Sequence, residues 1–261
     1  MSGYAPREPL GQINWIHNQT MRCLPLLVLP IGLAGVLLGT VACGSRDDTT
    51  TVQHDVAARD AAADAGVSSS GLTDPPRIVI LGDSLTAGLG LPVDEAYPAL
   101  LQRRVQEGGL NYEVVNAGVS GDTSAGGLSR LDWALEGNVK VLVLALGAND
   151  GLRGVPVDEL KRNLDTIIKR SQARGVTVVL AGMEAPPNFG RQYTKAFHDV
   201  YPDLASQYRL ALVPFLLQGV AAVDALNQGD GLHPNSEGAQ AVADNVWAVL
   251  ETTLRERTVR D

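Results

Sequence analysis

Cysteine is scarce in this 261-residue sequence: Cys23 and Cys43 are the two present, and both precede the part of the chain that alternates between apolar and charged segments. A disulfide framework and a cysteine-based metal site are therefore excluded for the folded domain. Clusters of lysine and arginine are missing as well, and the formal net charge is −8. Nucleic acid, which requires a basic face, is not expected as a partner.

Charge is absent from residues 23–45, and much of this run is strongly apolar. It is long enough for a membrane-spanning helix. Its order favours another interpretation, because a short positive start at Met21-Arg22 is followed by the apolar region and by the small residues Thr40-Val41-Ala42 before Cys43. This order resembles the signal of a bacterial lipoprotein, in which the cysteine is lipidated and becomes the new N terminus.

The lipoprotein interpretation leaves two alternatives open, an uncleaved membrane anchor and ordinary secretory cleavage. Thr40 is a departure from lipoprotein signals, which usually carry an aliphatic residue at that place. The resulting expectation is an N-terminal extension over residues 1–20, a signal over 21–42, a flexible linker over 43–75 and a folded domain over 76–257. The linker is rich in Ser, Thr, Asp and Ala and poor in large apolar residues, so it cannot bury enough surface to offset its ordering entropy.

Short apolar runs recur along the domain and predict five buried strands. Amphipathic segments separate them, among them one bounded by Pro156 and Gly175 and another over Ala239–Leu254. This alternation predicts an α/β fold, a flavodoxin-like three-layer sandwich with a five-stranded parallel sheet. The predicted strands are Arg77–Leu81, Tyr112–Asn116, Val139–Leu146, Val176–Ala181 and Leu210–Pro214. Catalytic groups are expected just after the strands, at their carboxyl ends.

Ser84 is the candidate nucleophile because it follows the first predicted strand by three residues, in Gly82-Asp83-Ser84-Leu85. The tetrapeptide alone is weak evidence, since most loop serines only cap helices. A serine nucleophile needs a base, and there are four histidines. His17 and His54 precede the domain, and His198 falls in a predicted helix, where a surface or core imidazole is the simpler interpretation. His233 remains.

His233 lies in a turn-rich loop that leads into the last predicted helix. Asp230, three residues earlier, can accept a hydrogen bond from the ring Nδ1–H, which leaves Nε2 free to face Ser84. The competing interpretation is that Asp230 caps a turn and His233 faces solvent. The acid, the base and the proline-stiffened loop together favour the catalytic interpretation.

Acyl transfer also needs donors for the tetrahedral oxyanion. Glycines 118 and 121 follow the second predicted strand, and their backbone N–H groups can approach a ligand closely; the sequence does not decide between them. Asn149 follows the third strand and offers a side-chain amide at the same edge of the sheet. Asp150 is expected to cap the segment that follows it.

These blocks together resemble the SGNH (GDSL) hydrolase family, in the order Gly82-Asp83-Ser84-Leu85, Gly121, Asn149 and His233. The resemblance implies that Ser84 is the nucleophile, His233 the general base and then acid, and Asp230 its orienting partner. It also implies an oxyanion hole made of the Ser84 and Gly121 N–H groups and the Asn149 amide. Neither a metal nor an organic cofactor is required. Ala148 stands where such relatives carry glycine.

The expected reaction is hydrolysis of small-molecule substrates through an acyl-serine: short-to-medium acyl esters, aryl esters or thioesters, with lysophospholipids as a further candidate class. The α/β-hydrolases are excluded because the sequence has no Gly-x-Ser-x-Gly. Two alternatives stay open: O-acyl or O-acetyl chemistry on glycans, and a lipoprotein that binds lipid without catalysis. The segments Gly151–Pro156 and Glu184–Arg191 are expected to line an acyl pocket. We expect a monomer outside the cytoplasm, attached to a membrane through a lipid on Cys43.

Overall fold

The computed structural model describes residues 74–258; Cys43, the predicted signal and nearly all of the predicted linker lie outside this range. The described chain alternates strands and helices. The strands are β1 (Arg77–Gly82), β2 (Glu113–Gly118), β3 (Val139–Ala145), β4 (Thr177–Ala181) and β5 (Ala211–Val213). The helices are α1 (Ser84–Ala87), α2 (Tyr97–Glu107), α3 (Ser124–Ser129), α4 (Leu131–Ala134), α5 (Ala148–Arg153), α6 (Val157–Ala173), α7 (Arg191–Tyr208) and α8 (Ser236–Thr258).

The five strands form one sheet in the order β2-β1-β3-β4-β5, and every pairing is parallel. This is the flavodoxin-like order. The chain adds β2 on one side of β1 and then adds β3, β4 and β5 on the other side, so the direction of strand addition reverses between β1 and β3. Helices α2 and α8 contact each other on one side of the sheet, and α6 contacts both α3 and α7 in a second layer. The predicted three-layer α/β fold is confirmed.

Burial of the central strands on both faces explains why the strands could be predicted from the sequence. Ile78 to Leu81 of β1 and Val141 to Ala145 of β3 are at most 2% exposed, because both faces of these central strands are covered. A strand buried on both faces has no reason to alternate with polar residues. Helix α6 instead buries one stripe, Leu160, Leu164, Ile167, Ile168 and Ser171, and its other residues are half-buried or exposed.

The carboxyl ends of β1, β2 and β3 lie side by side, which brings three loops distant in sequence to one edge of the sheet. Helix α1 packs directly on the end of β2: a Cβ at Gly118 would lie 2.2 Å from the backbone nitrogen of Ala87. Glycine is therefore required there for close approach. Within residues 74–258, no helix is both long enough and apolar enough to cross a membrane.

Candidate active site

Ser84 is the first residue of α1, immediately beyond the carboxyl end of β1. The carboxylate of Asp83 caps this helix by accepting a hydrogen bond from the Leu85 N–H at 3.0 Å. The turn is tight, because a Cβ at Gly82 would lie 1.9 Å from the Thr86 hydroxyl. Ser84 is 7% exposed, so the fold presents its hydroxyl in a largely enclosed position.

His233 and Asp230 lie in the loop before α8, and this loop faces Ser84. The His233 Nε2 is 2.9 Å from the Ser84 Oγ, and the His233 Nδ1 is 2.6 Å from Asp230 Oδ2. With Asp230 ionised, Nδ1 carries the proton and donates it, so Nε2 accepts from the serine hydroxyl. The three residues predicted from the sequence are thus joined by a continuous chain of hydrogen bonds.

Asp230 is held by its own loop as well as by the imidazole. Its Oδ1 accepts from the backbone N–H groups of Leu232 at 2.9 Å and His233 at 3.0 Å. Partial desolvation alone would raise the pKa of Asp230, but these hydrogen bonds and the one from the His233 ring outweigh it and lower the pKa to about 2. The carboxylate therefore stays ionised at neutral pH, as an orienting partner of an imidazole must.

The sequence does not decide whether Gly118 or Gly121 is an oxyanion donor, but the hydrogen bonds of their N–H groups differ. The Gly118 N–H donates to the side chain of Asn116 at 2.9 Å. For the Gly121 N–H, no acceptor is found among residues 74–258. Gly121 has a φ of +86°, a left-handed conformation that favours glycine, and its carbonyl accepts from Arg153 at 2.9 Å.

Asn149 lies in the first turn of α5, beyond the end of β3. Its Nδ2 donates to the backbone carbonyl of Asp122 at 2.9 Å and makes a long contact of 3.4 Å with Asp83 Oδ2. The amide therefore lies between the loop after β1 and the loop after β2. The structure brings Asn149 into contact with the segments that carry Ser84 and Gly121.

Asp150 does not cap α5, and that expectation was wrong. Its carboxylate is 1% exposed and accepts from the Ser124 N–H at 2.8 Å and from the Ser124 hydroxyl at 2.6 Å. It therefore caps the start of α3, a helix 26 residues earlier in the chain, because the sheet order places the loops after β2 and β3 at the same edge.

The other candidate histidine lies apart from this chain of hydrogen bonds. His198 is exposed on α7, and its Nδ1 is 2.6 Å from Glu184 Oε1. This position fits the simpler interpretation of His198, a surface imidazole without a catalytic role. His17, His54 and Cys43 fall outside the described residues.

A narrow, mainly apolar cleft opens beside Ser84 and His233. Leucines 85, 89 and 91 line it from α1 and the loop after it, and Pro234 and Val242 line it from α8 and the preceding loop. The two segments predicted to line an acyl pocket contact each other. The Phe189 ring lies close to Gly154, and a Cβ at Gly151 would lie 3.3 Å from the Ala185 Cα.

Comparison with known proteins identifies the family of this chain. A family model described as the GDSL-like Lipase/Acylhydrolase family matches residues 80–241. The chain belongs to this family. The resemblance predicted from the sequence is therefore confirmed, and the protein is an ester hydrolase of the SGNH (GDSL) type.

This acylhydrolase has relatives that align with it over most of their own length. Esterase TesA of Pseudomonas aeruginosa is 44% identical over 178 residues, which is 68% of this chain and 89% of TesA. A crystal structure of TesA superposes with a TM-score of 0.65, over 67% of this chain and 98% of the solved one. Thioesterase 1/protease 1/lysophospholipase L1 of Escherichia coli K12 is 39% identical over 168 residues, 64% of this chain and 79% of the relative.

Sequence reasoning missed three polar residues of this acylhydrolase that surround the candidate site: the buried Asp83, the Asp122 carboxylate and Arg130. Asp83 belongs to the Gly82-Asp83-Ser84-Leu85 block and Asp122 directly follows Gly121, but nothing in the sequence shows what their side chains contact. No pattern in the sequence indicated a role for Arg130, because it lies between two helices that are too short to produce a periodic pattern. Its guanidinium donates to Asp122 at 2.6 Å and to the Gly82 carbonyl at 2.9 Å.

Asp83 is 1% exposed, and this burial has a consequence for stability. Desolvation raises its pKa to about 6, although the Leu85 N–H, the electrostatic influence of the His233 ring and the Asn149 amide all act to lower it. An aspartate in the unfolded chain has a pKa near 3.8. As the pH rises through this interval the unfolded chain loses its proton first, so ionisation of Asp83 destabilises the folded acylhydrolase.

Replacing Asp83 with asparagine is therefore expected to stabilise the protein more at neutral than at acidic pH. The side-chain oxygen can still cap α1, while the group no longer ionises. We expect the gain in unfolding free energy over wild type to be larger by about 2 kcal/mol at about pH 7.5 than at about pH 4.5. Urea titrations at both pH values measure it, with the exposed Asp94→Asn as the control. A gain that is the same at both pH values would contradict the burial argument.

Proposed function

We propose that this chain hydrolyses short-to-medium acyl esters, aryl esters and thioesters through an acyl-serine intermediate on Ser84. The observation that carries the proposal is the chain of hydrogen bonds from Ser84 Oγ to His233 Nε2 and from His233 Nδ1 to Asp230. A base within 2.9 Å of the hydroxyl is what nucleophilic activation of a serine requires.

In the acylation step, the Ser84 Oγ attacks the substrate carbonyl carbon while its proton passes to His233 Nε2. The carbonyl π electrons move onto the oxygen and give a tetrahedral oxyanion. Collapse of this intermediate re-forms the carbonyl and breaks the bond to the leaving group, which takes the proton from His233. Asp230 remains ionised throughout and stabilises the imidazolium.

In the deacylation step, water attacks the acyl-serine carbonyl with His233 again accepting the proton, and Ser84 leaves after taking that proton back. The oxyanion of each step is assigned to the N–H groups of Ser84 and Gly121 and to the Asn149 amide. Gly121 is preferred over Gly118 because the Gly118 N–H already donates to Asn116. Ser84 as the first residue of α1 has no acceptor for its N–H within the helix.

The substrate class is proposed from two supports. The cleft beside Ser84 is lined mainly by aliphatic side chains and is narrow, which favours small apolar groups next to the scissile carbonyl. The relatives carry the names esterase and thioesterase 1/protease 1/lysophospholipase L1. Oxygen esters and thioesters share the carbonyl chemistry that the oxyanion donors serve.

The proposal is tested with p-nitrophenyl esters and acyl-coenzyme A thioesters of increasing acyl length, assayed for release of p-nitrophenol or free thiol. We expect turnover of both classes, highest for the shorter acyl groups, and an acyl adduct on the peptide that contains Ser84 in quenched samples. Absence of both turnover and adduct across the series would overturn the proposal. Turnover limited to acetylated glycans would instead support the alternative left open by the sequence.

We also propose that the enzyme acts outside the cytoplasm as a monomer, on a lipid tether at Cys43. The support is the order of the N-terminal sequence, with Met21-Arg22, an uncharged apolar run and Thr40-Val41-Ala42 before the cysteine. Labelled palmitate should be incorporated by the wild type and by Cys23→Ala but not by Cys43→Ala. Equal labelling of wild type and Cys43→Ala would exclude this anchor.

A further inference from the structure

Arg130 forms the most enclosed ion pair of the described chain. Its Nε donates to Asp122 Oδ2 at 2.6 Å, and both side chains are 17% exposed. In each of the other ion pairs within residues 74–258, both partners are more exposed than this. The Arg130 Nη1 is buried without a hydrogen-bond partner in that range, so the residue is kept at some cost in stability. The proposed reaction uses none of these groups directly.

The contacts of Arg130 reach the segments of all three proposed oxyanion donors. Its Nη2 donates at 2.9 Å to the carbonyl of Gly82, two residues before Ser84. Its partner Asp122 directly follows Gly121 in the chain. The backbone carbonyl of Asp122 accepts the Asn149 amide at 2.9 Å.

Two additional backbone hydrogen bonds lie in this region, one between the loops after β1 and β2 and one within the loop after β2. The Val119 N–H donates to the same Gly82 carbonyl at 3.1 Å, and the Asp122 N–H donates to the Val119 carbonyl at 3.1 Å. The loops after β1 and β2 are therefore cross-linked at their backbones, and Arg130 adds the side-chain bridge between Gly82 and Asp122. A planar guanidinium holds two acceptors at a fixed separation, which a lysine ammonium does not.

We propose that Arg130 is a positioning residue of the oxyanion hole, acting through Asp122 and Gly82 to fix the spacing of the Ser84, Gly121 and Asn149 donors. This inference rests on the function proposed above. Oxyanion donors act because they are already aimed at the site of charge development before reaction, so small displacements weaken them. Binding of the ground-state ester depends less on this spacing, so the defect should appear in kcat rather than in KM.

Removal of the guanidinium tests this inference. In Arg130→Met, we expect kcat for p-nitrophenyl butyrate to fall by about 10- to 100-fold with KM changed less than about threefold. Arg130→Lys, which keeps a charge near Asp122 but loses the second acceptor, should recover only part of the loss. The control is Arg104→Met, which removes a more exposed ion pair with Asp244 between α2 and α8; neither residue lines the cleft beside Ser84, so kcat should stay unchanged.

The decisive measurement repeats Arg130→Met in an Asn149→Ala background. If Arg130 acts by positioning the donors, its loss should cost markedly less there than in the wild type, because one of the donors it positions is gone. The proposal would be overturned if the fold-losses in kcat of Arg130→Met and Asn149→Ala multiplied fully in the double variant. An unchanged kcat in Arg130→Met would also overturn it. If that variant fails to fold by circular dichroism, Arg130→Lys is used in both backgrounds with the same criteria. A wild type that hydrolyses no ester or thioester would instead refute the proposed function.

Discussion

Replacing Ser84 with alanine is expected to lower kcat for p-nitrophenyl butyrate by about 10⁴- to 10⁶-fold, the range seen when a serine nucleophile is removed. The variant loses the atom that forms the acyl-enzyme and keeps the rest of the site. Alanine is smaller than serine and suits a helix, so α1 and the sheet should fold as in the wild type. Equal melting temperatures by circular dichroism would establish that the loss is chemical.

The serine and the histidine should act as one unit. His233→Ala alone should cost nearly as much as Ser84→Ala, and the double variant should be no slower than either by more than a few-fold. Ser129→Ala is the matched control, because its exposed hydroxyl donates only to the Gly126 carbonyl of its own helix. Losses that multiply in the double variant would mean that the 2.9 Å contact between Ser84 and His233 is not used in the reaction.

The strands were predictable because burial on both faces of a parallel sheet leaves a mark in the sequence. All five predicted strands are present, each with bounds within two residues of those observed at either end. Longer helices were visible too: the segment bounded by Pro156 and Gly175 contains α6. Helices α1, α3, α4 and α5 were not predicted, since four to six residues are too few for a helical period to show.

The candidate triad could be predicted because the sequence has few histidines and because two members of the triad are close in sequence. Asp230 and His233 are three residues apart, so local chain geometry alone brings them together. The contact from Asp150 to Ser124 spans 26 residues, and that from Arg130 to Gly82 spans 48. Such contacts follow from the sheet order, which places β2 and β3 on either side of β1, and no local pattern encodes them.

Removing the Asn149 amide is the second large expected effect. In Asn149→Ala, we expect kcat for p-nitrophenyl butyrate to fall by about 10²- to 10³-fold, the usual cost of one oxyanion donor. KM should change little, because the donor matters most when charge has developed on the carbonyl oxygen. The N–H groups of Ser84 and Gly121 remain in the variant, so catalysis should be weakened rather than abolished.

The resting contacts of Asn149 indicate how its amide becomes available. One amide hydrogen is committed to the Asp122 carbonyl at 2.9 Å, which fixes the orientation of the side chain. The contact to Asp83 is 3.4 Å, a long and therefore weak hydrogen bond. We expect an oxyanion to compete for that second hydrogen without disturbing the first, so that orientation and catalysis would use different hydrogens of the same amide.

Asn149→Asp separates donation from simple packing. The carboxylate nearly matches the amide in size but cannot donate when ionised, and it adds negative charge beside Asp83 and the developing oxyanion. We expect Asn149→Asp to be no more active than Asn149→Ala, whereas a packing role would make the aspartate the milder change. Asn138→Ala is the control, since that amide donates to the Asp74 carbonyl near the start of the described chain. Wild-type kcat in Asn149→Ala would remove this residue from the oxyanion hole and leave Gly121 and Ser84 as its donors.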